Sequence, residues 1–384
     1  MKICIVTGTR AEYGLLYWTI KKLLSDKYFM VQLCVTGMHL SPEFGLTYKQ
    51  IEEDGIKIDK KIEMLLSSDS ASGVSKSIGV GVLGFADAFS DLKPDLILLL
   101  GDRFEIFAAA TAAMIAKIPI AHCHGGEATE GLIDEPIRHS ITKMSHLHFT
   151  STEEYRKRVI QLGEQPNRVF NVGALGIENI NKLKLLNKLD FEKSIGFKLL
   201  KHTFLITFHP VTLEKSTAEN QFLNLLSAIK KFSNTTYIFT LPNADNDGRV
   251  IINLIQNFVA INKNISIAFT SLGQLRYLSA IQHVDIVIGN SSSGLIEVPS
   301  FRKPTINIGD RQRGRVFGSS VINCKPNKKE IIDSIDIALS ESFRKKLTKS
   351  TNPYGNKNSS MEIVKILKKV VVNENLVKKR FYNI

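Results

Sequence analysis

The stretch DLILLLGD, Asp95–Asp102, places five consecutive apolar residues between an aspartate and a Gly-Asp pair. A short run that is apolar at every position, and not at every second one, predicts a strand with both faces covered. Runs of the same kind recur along the chain, for example KICIVTG at Lys2–Gly8 and VDIVIGN at Val284–Asn290. Helical patterns such as FEIFAAATAAMIAK, Phe104–Lys117, lie between them. This alternation predicts parallel sheets with helices on both faces.

The length of the chain and a pause in the pattern predict two domains. The 384 residues exceed what one hydrophobic core ordinarily holds. The alternation stops near Asn171–Phe191 and resumes at TFLITFHP, Thr203–Pro210. We therefore predict an α/β protein of two Rossmann-like, doubly wound domains, residues 1–175 and 176–360. Because ligands of such sheets bind at the carboxyl ends of the strands, we expect the two domains to face a common cleft there.

The composition excludes several classes of protein. No run of about 18 apolar residues occurs, so we expect no membrane span. The amino-terminal sequence MKICIVTGTR is interpreted as a first strand and not as a signal peptide. The four cysteines are scattered through mostly apolar segments, which indicates free thiols in a reducing compartment. We therefore predict a cytoplasmic protein.

The net charge of +13 is concentrated in the second half of the chain. Residues 1–175 carry 19 Lys and Arg against 21 Asp and Glu, whereas residues 176–384 carry 31 against 16. A basic half is compatible with nucleic acid, a membrane surface or an anionic small molecule as partner. Many of the lysines stand in tracts such as Ile180–His202, which are typical of solvated helix faces. No nucleic-acid-binding module accompanies them, so we expect an anionic small molecule and neither nucleic acid nor a membrane.

One glycine pattern superficially matches a dinucleotide-binding motif. GVGVLG, Gly79–Gly84, has the spacing G-x-G-x-x-G, and Asp102 follows 18 residues beyond it. That motif binds a pyrophosphate only when a strand directly precedes it. Here the polar segment Ser67–Ile78 precedes it. We therefore predict a loop and the start of a glycine-tolerant helix, and no NAD cofactor.

The histidines raise the question of a metal site. His122 and His124 alternate on one predicted strand, and His139, His146 and His148 follow. A metal site needs three or four converging ligands, and no H-E-x-x-H helix is present. We therefore favour polar strand ends and hydrogen-bonded core histidines, and we expect no metal.

A serine-rich loop with nearby arginines predicts a phosphate site in the second domain. GNSSSG, Gly289–Gly294 (the serine loop), follows a buried strand and opens the predicted helix GLIEVPSF. The amino end of a helix presents unpaired N–H groups to an anion, and serines add hydroxyl donors. Arg311, Arg313 and Arg315 follow in GDRQRGR, where bidentate pairing with phosphate is natural. An ordinary serine cap is the alternative. The arginines favour a nucleotide-diphosphate site, with Glu297 placed to accept from ribose hydroxyls.

Three motifs in the first domain place charged side chains at strand ends. VTGTRAEYG contributes Arg10, LLLGDRFE contributes Asp102 and Arg103, and HGGEATEGLIDEPIRH contributes a dense group. That group consists of Glu127, Glu130, Asp134, Glu135, Arg138 and His139. Any single carboxylate here is typical of a solvated loop or a helix cap. Together they indicate acid–base chemistry on a sugar attached to the phosphate.

Taken together, these motifs resemble the hydrolysing UDP-N-acetylglucosamine 2-epimerases, bacterial enzymes of sialic and related nonulosonic acid synthesis. The resemblance covers nearly the whole chain and is carried by TGTRAEYG, GDRFE, HGGEATEGLIDEPIRHSITKMSHLHFTSTEEYRKRVIQLGE, FHPVT, LPNADNDG and GNSSSGLIEVPSF…TINIGDRQRGR. It implies two Rossmann-like domains around a cleft, as in GT-B glycosyltransferases, with a carboxyl-terminal helix at about 360–384 packed back on the first domain. It also implies a homodimer or homotetramer and no cofactor.

The family's reaction converts UDP-N-acetylglucosamine and water into UDP and N-acetylmannosamine. A base removes the proton at C2 of the sugar while UDP leaves from C1, and water then adds to the 2-acetamidoglucal with inversion at C2. The resemblance implies catalytic roles for Asp102 and Asp134, and an active-site histidine at His209. Some relatives carry a glutamate where this chain has His124, so Glu127 and His124 compete for the third acid–base role. The implied UDP contacts are Arg10, Arg103, Asn243, Ser291, Ser292, Glu297 and Arg311.

Several other interpretations stay open from sequence. Some relatives act on UDP-2,4-diacetamido-2,4,6-trideoxyglucose, a substrate of the legionaminic acid route. The sequence does not separate the two substrates, which differ at C4 and C6, and we favour UDP-N-acetylglucosamine. A non-hydrolysing epimerase, a GT-B glycosyltransferase and a nucleotide-sugar sensor without turnover are the alternatives. Release of UDP and a free sugar without an acceptor distinguishes the hydrolysing epimerase from all three.

Overall fold

The chain divides into two units, and each contains one parallel sheet. The computed structural model describes residues 1–66, 70–130, 132–211, 217–242, 248–355 and 358–384. The first unit comprises Met1–Glu127, Asp134–Asn179 and Asn356–Ile384, and the second comprises Ala128–Ile133 and Ile180–Gly355. We predicted a boundary after residue 175, whereas the structure divides the chain after Asn179 and assigns the short segment Ala128–Ile133 to the second unit.

The first unit contains a seven-stranded sheet with the strand order β3-β2-β1-β4-β5-β6-β7. Its strands are β1 (Lys2–Thr7), β2 (Met30–Thr36), β3 (Lys60–Ile62), β4 (Leu96–Leu100), β5 (Ile120–Cys123), β6 (Leu147–Thr150) and β7 (Val169–Asn171). The helices that accompany them are α1 (Arg10–Leu24), α2 (Tyr48–Glu53), α3 (Ala71–Leu92), α4 (Phe104–Ile115), α5 (Asp134–Met144), α6 (Glu153–Gln161) and α7 (Leu175–Lys182), the last of which crosses the division.

Both faces of this sheet are buried, which explains the unbroken apolar run in β4. Leu96, Leu98 and Leu100 belong to one hydrophobic cluster, and Ile97 and Leu99 belong to another. Successive side chains of a strand point to opposite faces, so each cluster covers one face. All five side chains are at most 2% exposed. Because full burial of such a side chain contributes about 2 kcal/mol, β4 anchors the centre of the unit.

The second unit contains a six-stranded parallel sheet with the order β10-β9-β8-β11-β12-β13. Its strands are β8 (His202–Thr207), β9 (Thr235–Thr240), β10 (Ser266–Phe269), β11 (Ile286–Gly289), β12 (Thr305–Ile308) and β13 (Val321–Cys324). Its helices are α8 (Lys188–Ile195), α9 (Ala218–Ile229), α10 (Gly248–Ile261), α11 (Gly273–His283), α12 (Ser293–Ile296), α13 (Lys328–Leu339) and α14 (Glu341–Leu347). Within the described ranges of both units, we find no helix that is long and apolar enough to cross a membrane.

Three strands that the sequence did not predict lie at sheet edges. β3 and β7 are the two edges of the first sheet, and β13 is one edge of the second. Their sequences, KKI, VFN and VINC, contain no long apolar run. An edge strand has a neighbour on one side only and is less covered, so it does not need the apolar signature of a central strand.

The glycine pattern Gly79–Gly84 lies inside α3, which corrects the prediction of a loop there. The helix begins at Ala71, where the Ser70 side chain accepts a hydrogen bond from the Gly73 N–H group. Gly81 and Gly84 allow close packing. An added Cβ would lie 2.8 Å from a Met64 side-chain carbon at Gly81, and 2.7 Å from an Ile62 side-chain carbon at Gly84. These glycines therefore serve helix packing.

The carboxyl-terminal segment contains two helices where we predicted one at about 360–384. They are α15 (Ser359–Lys369) and α16 (Glu374–Val377). Three consecutive valines, Val370–Val372, separate them, and β-branched residues disfavour helix. The Ser360 N–H and hydroxyl groups donate to Glu178 on α7 at 2.8 and 2.5 Å, and the apolar face of α15 joins a core cluster of the first unit.

Candidate active site

In the first unit, one buried arginine donates hydrogen bonds to two carboxylates. Arg138 on α5 is 1% exposed. Its Nε donates to Asp102 Oδ2 at 2.9 Å, and its Nη2 donates to the same oxygen. Its Nη1 donates to Glu135 Oε2 at 2.6 Å and to the Glu127 carbonyl at 2.8 Å. We call Asp102, Glu127, Glu135 and Arg138 the carboxylate cluster. Such charge-assisted hydrogen bonds orient the carboxyl groups of Asp102 and Glu135.

Glu127 and His124 form a second set of contacts in the same cluster. Glu127 is 3% exposed, and its Oε1 accepts from the Ser151 hydroxyl and from His124 Nδ1, each at 2.9 Å. His124 Nε2 accepts the Leu175 N–H group at 3.3 Å. An acceptor Nε2 places the proton of a neutral ring on Nδ1. Both nitrogens of His124 are therefore engaged by the protein.

Asp134 is the first residue of α5, one turn before Arg138. A carboxylate at this position also stabilises the positive amino end of the helix. The last turn of α5 is anchored through His122, whose Nδ1 lies 3.4 Å from the Thr142 hydroxyl and whose Nε2 lies 2.7 Å from the Gly101 carbonyl. Burial lowers the pKa of His122 to about 3, so the ring is neutral. The structure thus gathers Asp102, Glu127, Asp134 and His124 around one helix.

Arg103, expected to contact UDP, is paired with an acid. Its Nε and Nη2 donate to the Glu105 carboxylate at 3.2 and 3.3 Å. Glu12 lies nearby, and its Oε2 accepts the Gly8 N–H group at 2.7 Å. Burial, and then the Glu105 carboxylate, raise the pKa of Glu12 to about 8. Sequence reasoning did not identify this buried acidic pair, because both residues stand in motifs that are also typical of helix starts.

Arg10 begins α1 at the carboxyl end of β1 and is exposed. The preceding Thr9 accepts from the Glu12 N–H group at 3.2 Å and caps the helix. The neighbouring Gly37 has φ +57, and a Cβ added there would lie 2.8 Å from the Glu105 side chain. This glycine permits the close approach of Glu105 beneath the loop that carries Arg10.

In the second unit, Asn290 connects the serine loop to His209. The His209 N–H group donates to Asn290 Oδ1, and Asn290 Nδ2 donates to the His209 carbonyl, both at 2.7 Å. Gly289 precedes it with φ +139, and an added Cβ would lie 1.8 Å from the Thr207 carbonyl oxygen. Only glycine fits at this position, because the ends of β8 and β11 approach so closely. His209 is thereby fixed at the end of β8.

The predicted helix GLIEVPSF is shorter than expected. α12 ends at Ile296, and a 3-10 turn at Val298–Phe301 follows it. Pro299 has no N–H group to continue an α-helix, which explains the change. Ser292 occupies the position before α12, but its side chain makes no capping hydrogen bond. The alternative of an ordinary serine cap therefore does not account for Ser292, which lies beside Ser291 on the loop.

The GDRQRGR segment contacts the serine loop. Arg311 Nη1 and Gln312 Nε2 donate to the Asn290 carbonyl at 3.2 and 2.8 Å. Tyr277 on α11 has its hydroxyl close to Ser293. Burial raises the pKa of Tyr277 to about 12, and the Glu297 carboxylate also raises it. The Ser293 hydroxyl lowers the pKa, but by less than burial raises it. The serine loop thus has the neutral side chains of Gln312 and Tyr277 beside it, together with the acid Glu297 and the cation Arg311.

Two further positions from the sequence motifs are Asn243 and Glu130. Asn243 lies outside the described residues. Glu130 belongs to the second unit, where its carboxylate pairs with Arg313 Nε at 3.1 Å and its N–H group donates to the Arg313 carbonyl at 3.2 Å. It therefore belongs with the arginine segment, and not with the carboxylate cluster.

The histidines singled out in the sequence have protein partners. His139 pairs with Glu135 at 3.0 Å, His146 accepts the Ile120 N–H group at 3.1 Å, and His148 pairs with Glu164 at 3.0 Å. Over the part of the chain that the structure describes, no three His, Cys, Asp or Glu side chains are grouped so as to hold a metal ion.

Comparison with known proteins identifies the family of this chain. The family model described as UDP-N-acetylglucosamine 2-epimerase matches residues 21–368. The chain is 46% identical to a GDP/UDP-N,N'-diacetylbacillosamine 2-epimerase (hydrolyzing) of Campylobacter jejuni, over 85% of each chain. It is 44% identical to the polysialic acid biosynthesis protein P7 of Escherichia coli, over 100% of this chain and 97% of that protein. The chain belongs to the UDP-N-acetylglucosamine 2-epimerase family.

Solved structures of this epimerase family share the fold. A UDP-GlcNAc 2-epimerase of Neisseria meningitidis bound to UDP-GlcNAc superposes with a TM-score of 0.81 at 21% identity, covering 96% of this chain and all of that one. The predictions of the family, of an enzyme of this class and of two Rossmann-like α/β domains are confirmed. A relative from Legionella pneumophila, a UDP-N,N'-diacetylbacillosamine 2-epimerase (hydrolyzing), is 35% identical over 98% of each chain.

Sequence reasoning missed the connecting residues of this epimerase fold. Arg138, Asn290 and Gln312 lay inside the quoted motifs without a role. One signal for Arg138 was available, since it is the single arginine among four acids in HGGEATEGLIDEPIRH. Its position three residues after Glu135 on a helix is the spacing at which the two side chains meet.

Proposed function

We propose that this protein is a hydrolysing 2-epimerase of a UDP-2-acetamido sugar, with UDP-N-acetylglucosamine as first substrate. The products are UDP and N-acetylmannosamine, and one water is consumed. The observation that carries the proposal is the carboxylate cluster, in which one buried arginine orients Asp102 and Glu135 and binds the Glu127 carbonyl. The family to which the chain belongs performs chemistry that needs such carboxylates.

The carboxylate cluster supplies acid–base groups with defined orientations. Arg138 occupies Asp102 Oδ2, which leaves Oδ1 of this partly exposed residue to face a ligand. Both nitrogens of His124 already have partners, so we assign the third acid–base role to Glu127 and a positioning role to His124. Asp134 completes the group. One carboxylate removes the C2 proton and another delivers a proton during hydration of the glycal.

The second unit supplies the groups that bind the leaving group. We assign UDP binding to Ser291, Ser292, Glu297 and Arg311, and an active-site role to His209. Arg311 and the serine hydroxyls stabilise the negative charge that develops as the C1–O bond to UDP breaks. Arg10 and Arg103 of the first unit, and Asn243, remain proposed UDP contacts. This reaction needs no redox cofactor, and we propose that EDTA leaves the activity unchanged.

A second substrate is favoured by two relatives. The Campylobacter and Legionella proteins are named for UDP-N,N'-diacetylbacillosamine, which carries an acetamido group at C4 and no hydroxyl at C6. The polysialic acid protein P7 matches the entire chain, which supports the sialic acid route. Because both substrates react at C1 and C2, the proposed mechanism is the same for each.

Proton NMR of the purified protein in D2O tests the proposal. With UDP-N-acetylglucosamine, we expect UDP and free N-acetylmannosamine deuterated at C2. Turnover of UDP-N,N'-diacetylbacillosamine alone would keep the mechanism and change the substrate. UDP-N-acetylmannosamine as the end product would indicate a non-hydrolysing epimerase. Absence of turnover with both sugars would overturn the proposal in favour of a glycosyltransferase or a sensor.

A further inference from the structure

The last seven residues, Lys378–Ile384 (the C-terminal strap), are bound along the first unit. The Tyr382 N–H group donates to the Gly163 carbonyl at 2.8 Å, and Gln165 Nε2 donates to the Arg380 carbonyl at 3.3 Å. The Phe381 ring lies so close to Gly163 that a Cβ added there would be 2.3 Å from a ring carbon. Backbone hydrogen bonds and this close packing give the C-terminal strap a defined position.

Lys379 in the C-terminal strap binds the carboxyl end of α5. Its Nζ donates to the Lys143 carbonyl at 2.8 Å and to the Ser145 carbonyl at 2.5 Å. The last carbonyls of a helix have no partner within the helix and carry the negative end of its dipole. A cation that donates to them therefore stabilises the last turn. A residue that is distant in sequence thus caps the helix that carries Arg138.

A buried glutamate holds Lys379 in this position. Glu164 is 2% exposed and accepts from Lys379 at 2.8 Å, from Lys143 at 2.6 Å and from His148 at 3.0 Å. Burial alone raises the pKa of Glu164, but hydrogen bonds from His148, Lys143 and Lys379 outweigh it and lower the pKa to about 2. Glu164 is therefore ionised, and it pairs with the lysine at the end of α5.

The same helix carries active-site groups at its other end. α5 begins at Asp134, and Arg138 in its second turn donates to Asp102. A helix is stiff along its axis, so a shift of its last turn displaces these side chains. His148, one partner of Glu164, also lies opposite His122 in the register of β5 and β6. His122 in turn contacts both α5 and the Gly101 carbonyl that precedes Asp102.

We propose that the C-terminal strap positions α5 for catalysis, with Lys379 as a positioning residue that acts through Arg138 on Asp102. The inference rests on the proposed function, because that function assigns the acid–base work to Asp102 and Asp134. A role confined to fold stability is the competing explanation. It makes a different prediction for turnover in protein that is fully folded.

Three variants of the full chain separate these explanations. Lys379→Met keeps the aliphatic stem and removes the donors, and Lys379→Arg keeps the charge. Lys378→Met is the matched control, because the Lys378 side chain is 73% exposed and its Nζ lies 3.3 Å from the exposed carboxylate of Glu374. For each variant we would measure kcat, KM, UDP affinity by calorimetry and hydrogen exchange of the α5 amides by mass spectrometry.

For Lys379→Met we expect kcat to fall between about 10-fold and 100-fold, the effect of a small misplacement of catalytic groups. We expect UDP affinity within about twofold of wild type, faster exchange in the last turn of α5, and recovery of most of the turnover in Lys379→Arg. Lys378→Met should match wild type in every measurement.

The strap proposal is overturned if Lys379→Met turns over at the wild-type rate, or if Lys378→Met loses as much activity. It is also overturned if kcat and UDP affinity fall together while the variant unfolds at the assay temperature, because the strap then only stabilises the fold. Failure of the proposed function appears separately, as a wild-type protein without turnover. In that case the exchange rates of α5 in the two methionine variants still decide whether Lys379 fixes this helix.

Discussion

The carboxylate cluster and the serine loop hold their side chains by opposite means. In the first unit, Arg138 is almost fully buried and its guanidinium donates to the carboxyl groups of Asp102 and Glu135. In the second unit, the amide of Asn290 makes two neutral hydrogen bonds to the backbone of His209. Position 289 must also be glycine, because a side chain there would collide with the Thr207 carbonyl oxygen.

The difference predicts how each region fails. Removal of one partner from a buried ion pair leaves the other charge uncompensated, which costs more than the pair itself contributes. A neutral hydrogen bond contributes about 1 kcal/mol, so the loop depends more on shape than on charge. The first region should therefore be sensitive to changes of charge and pH, and the second to changes of volume.

The largest effect is expected for Arg138→Met. Asp102 and Glu135, whose side chains are each 23% exposed, lose their buried cation, so the first unit should lose about 3 kcal/mol of unfolding free energy. We expect kcat to fall by about 1000-fold, since Asp102 loses its orientation as well. Trp18 on α1 is the only tryptophan of the chain, so its fluorescence in urea follows the unfolding of the first unit.

Arg156→Met is the matched control for Arg138. Arg156 also pairs with a glutamate three residues earlier on a helix, Glu153, but its side chain is 30% exposed. We expect Arg156→Met to lower the unfolding free energy by less than about 2 kcal/mol, because exposed ion pairs contribute little to stability. We expect kcat to be unchanged. Similar losses in both variants, or an Arg138→Met protein with near-normal turnover, would contradict the role given to the buried arginine.

The next largest effect is expected for Gly289→Ala, which tests the steric side of the comparison. The added Cβ meets the Thr207 carbonyl oxygen, a backbone atom that cannot turn away, where β8 pairs with β11. We expect UDP affinity to fall by more than about 100-fold and thermal unfolding of the second unit to shift downward. Trp18 fluorescence should report an unchanged first unit.

Gly196→Ala is the control for this glycine. Gly196 also has a positive φ, +65, but an added Cβ there meets no atom within 4 Å. Gly196→Ala should lower the unfolding free energy by about 1–2 kcal/mol, which is the conformational cost of a side chain at positive φ. UDP affinity should be unchanged. Equal UDP affinity in Gly289→Ala and Gly196→Ala would show that the steric contact does not shape the loop.

The same contrast explains what the sequence could and could not predict. The run Leu96–Leu100 identified a strand with two buried faces, and the order of such runs predicted two parallel-sheet domains. A buried central strand is visible in the sequence as an unbroken apolar run, whereas edge strands such as β3 and β13 contain no such run. The Gly79–Gly84 pattern misled the prediction of the start of α3, because glycines that permit helix packing look the same in sequence as glycines of a loop.

The sequence motifs predicted candidate site residues, and the structure adds the hydrogen bonds between them. Motifs identified Asp102, Glu127 and Asp134, but the hydrogen bonds to the Asp102 carboxylate and to the Glu127 carbonyl depend on the rotamer of Arg138. The competition between Glu127 and His124 could not be resolved from sequence, since it depends on the Leu175 N–H group, 51 positions beyond His124. Similarly, the pairing of Asn290 with His209 joins residues 81 positions apart.

The smallest of the three effects is expected for Glu12→Gln, which tests the sensitivity of the first unit to pH. The pKa of Glu12 is raised from 4.5 to about 8 by burial and by Glu105, with Arg103 acting in the opposite direction. The folded protein therefore binds this proton more tightly than the unfolded chain does. Its contribution to stability is fully present below pH 4.5 and is lost as the pH rises through about 8.

Between pH 5 and pH 9, wild-type protein should thus lose about 2–4 kcal/mol of unfolding free energy from this group. Glu12→Gln keeps an oxygen for the Gly8 N–H group and cannot ionise, so its loss over the same interval should be smaller by that amount. Urea titrations followed by Trp18 fluorescence measure the difference, with Glu53→Gln on the exposed end of α2 as control. Parallel pH profiles for Glu12→Gln and wild type would show that Glu12 is ionised in the folded protein over this interval, which would contradict the pH sensitivity assigned to Glu12.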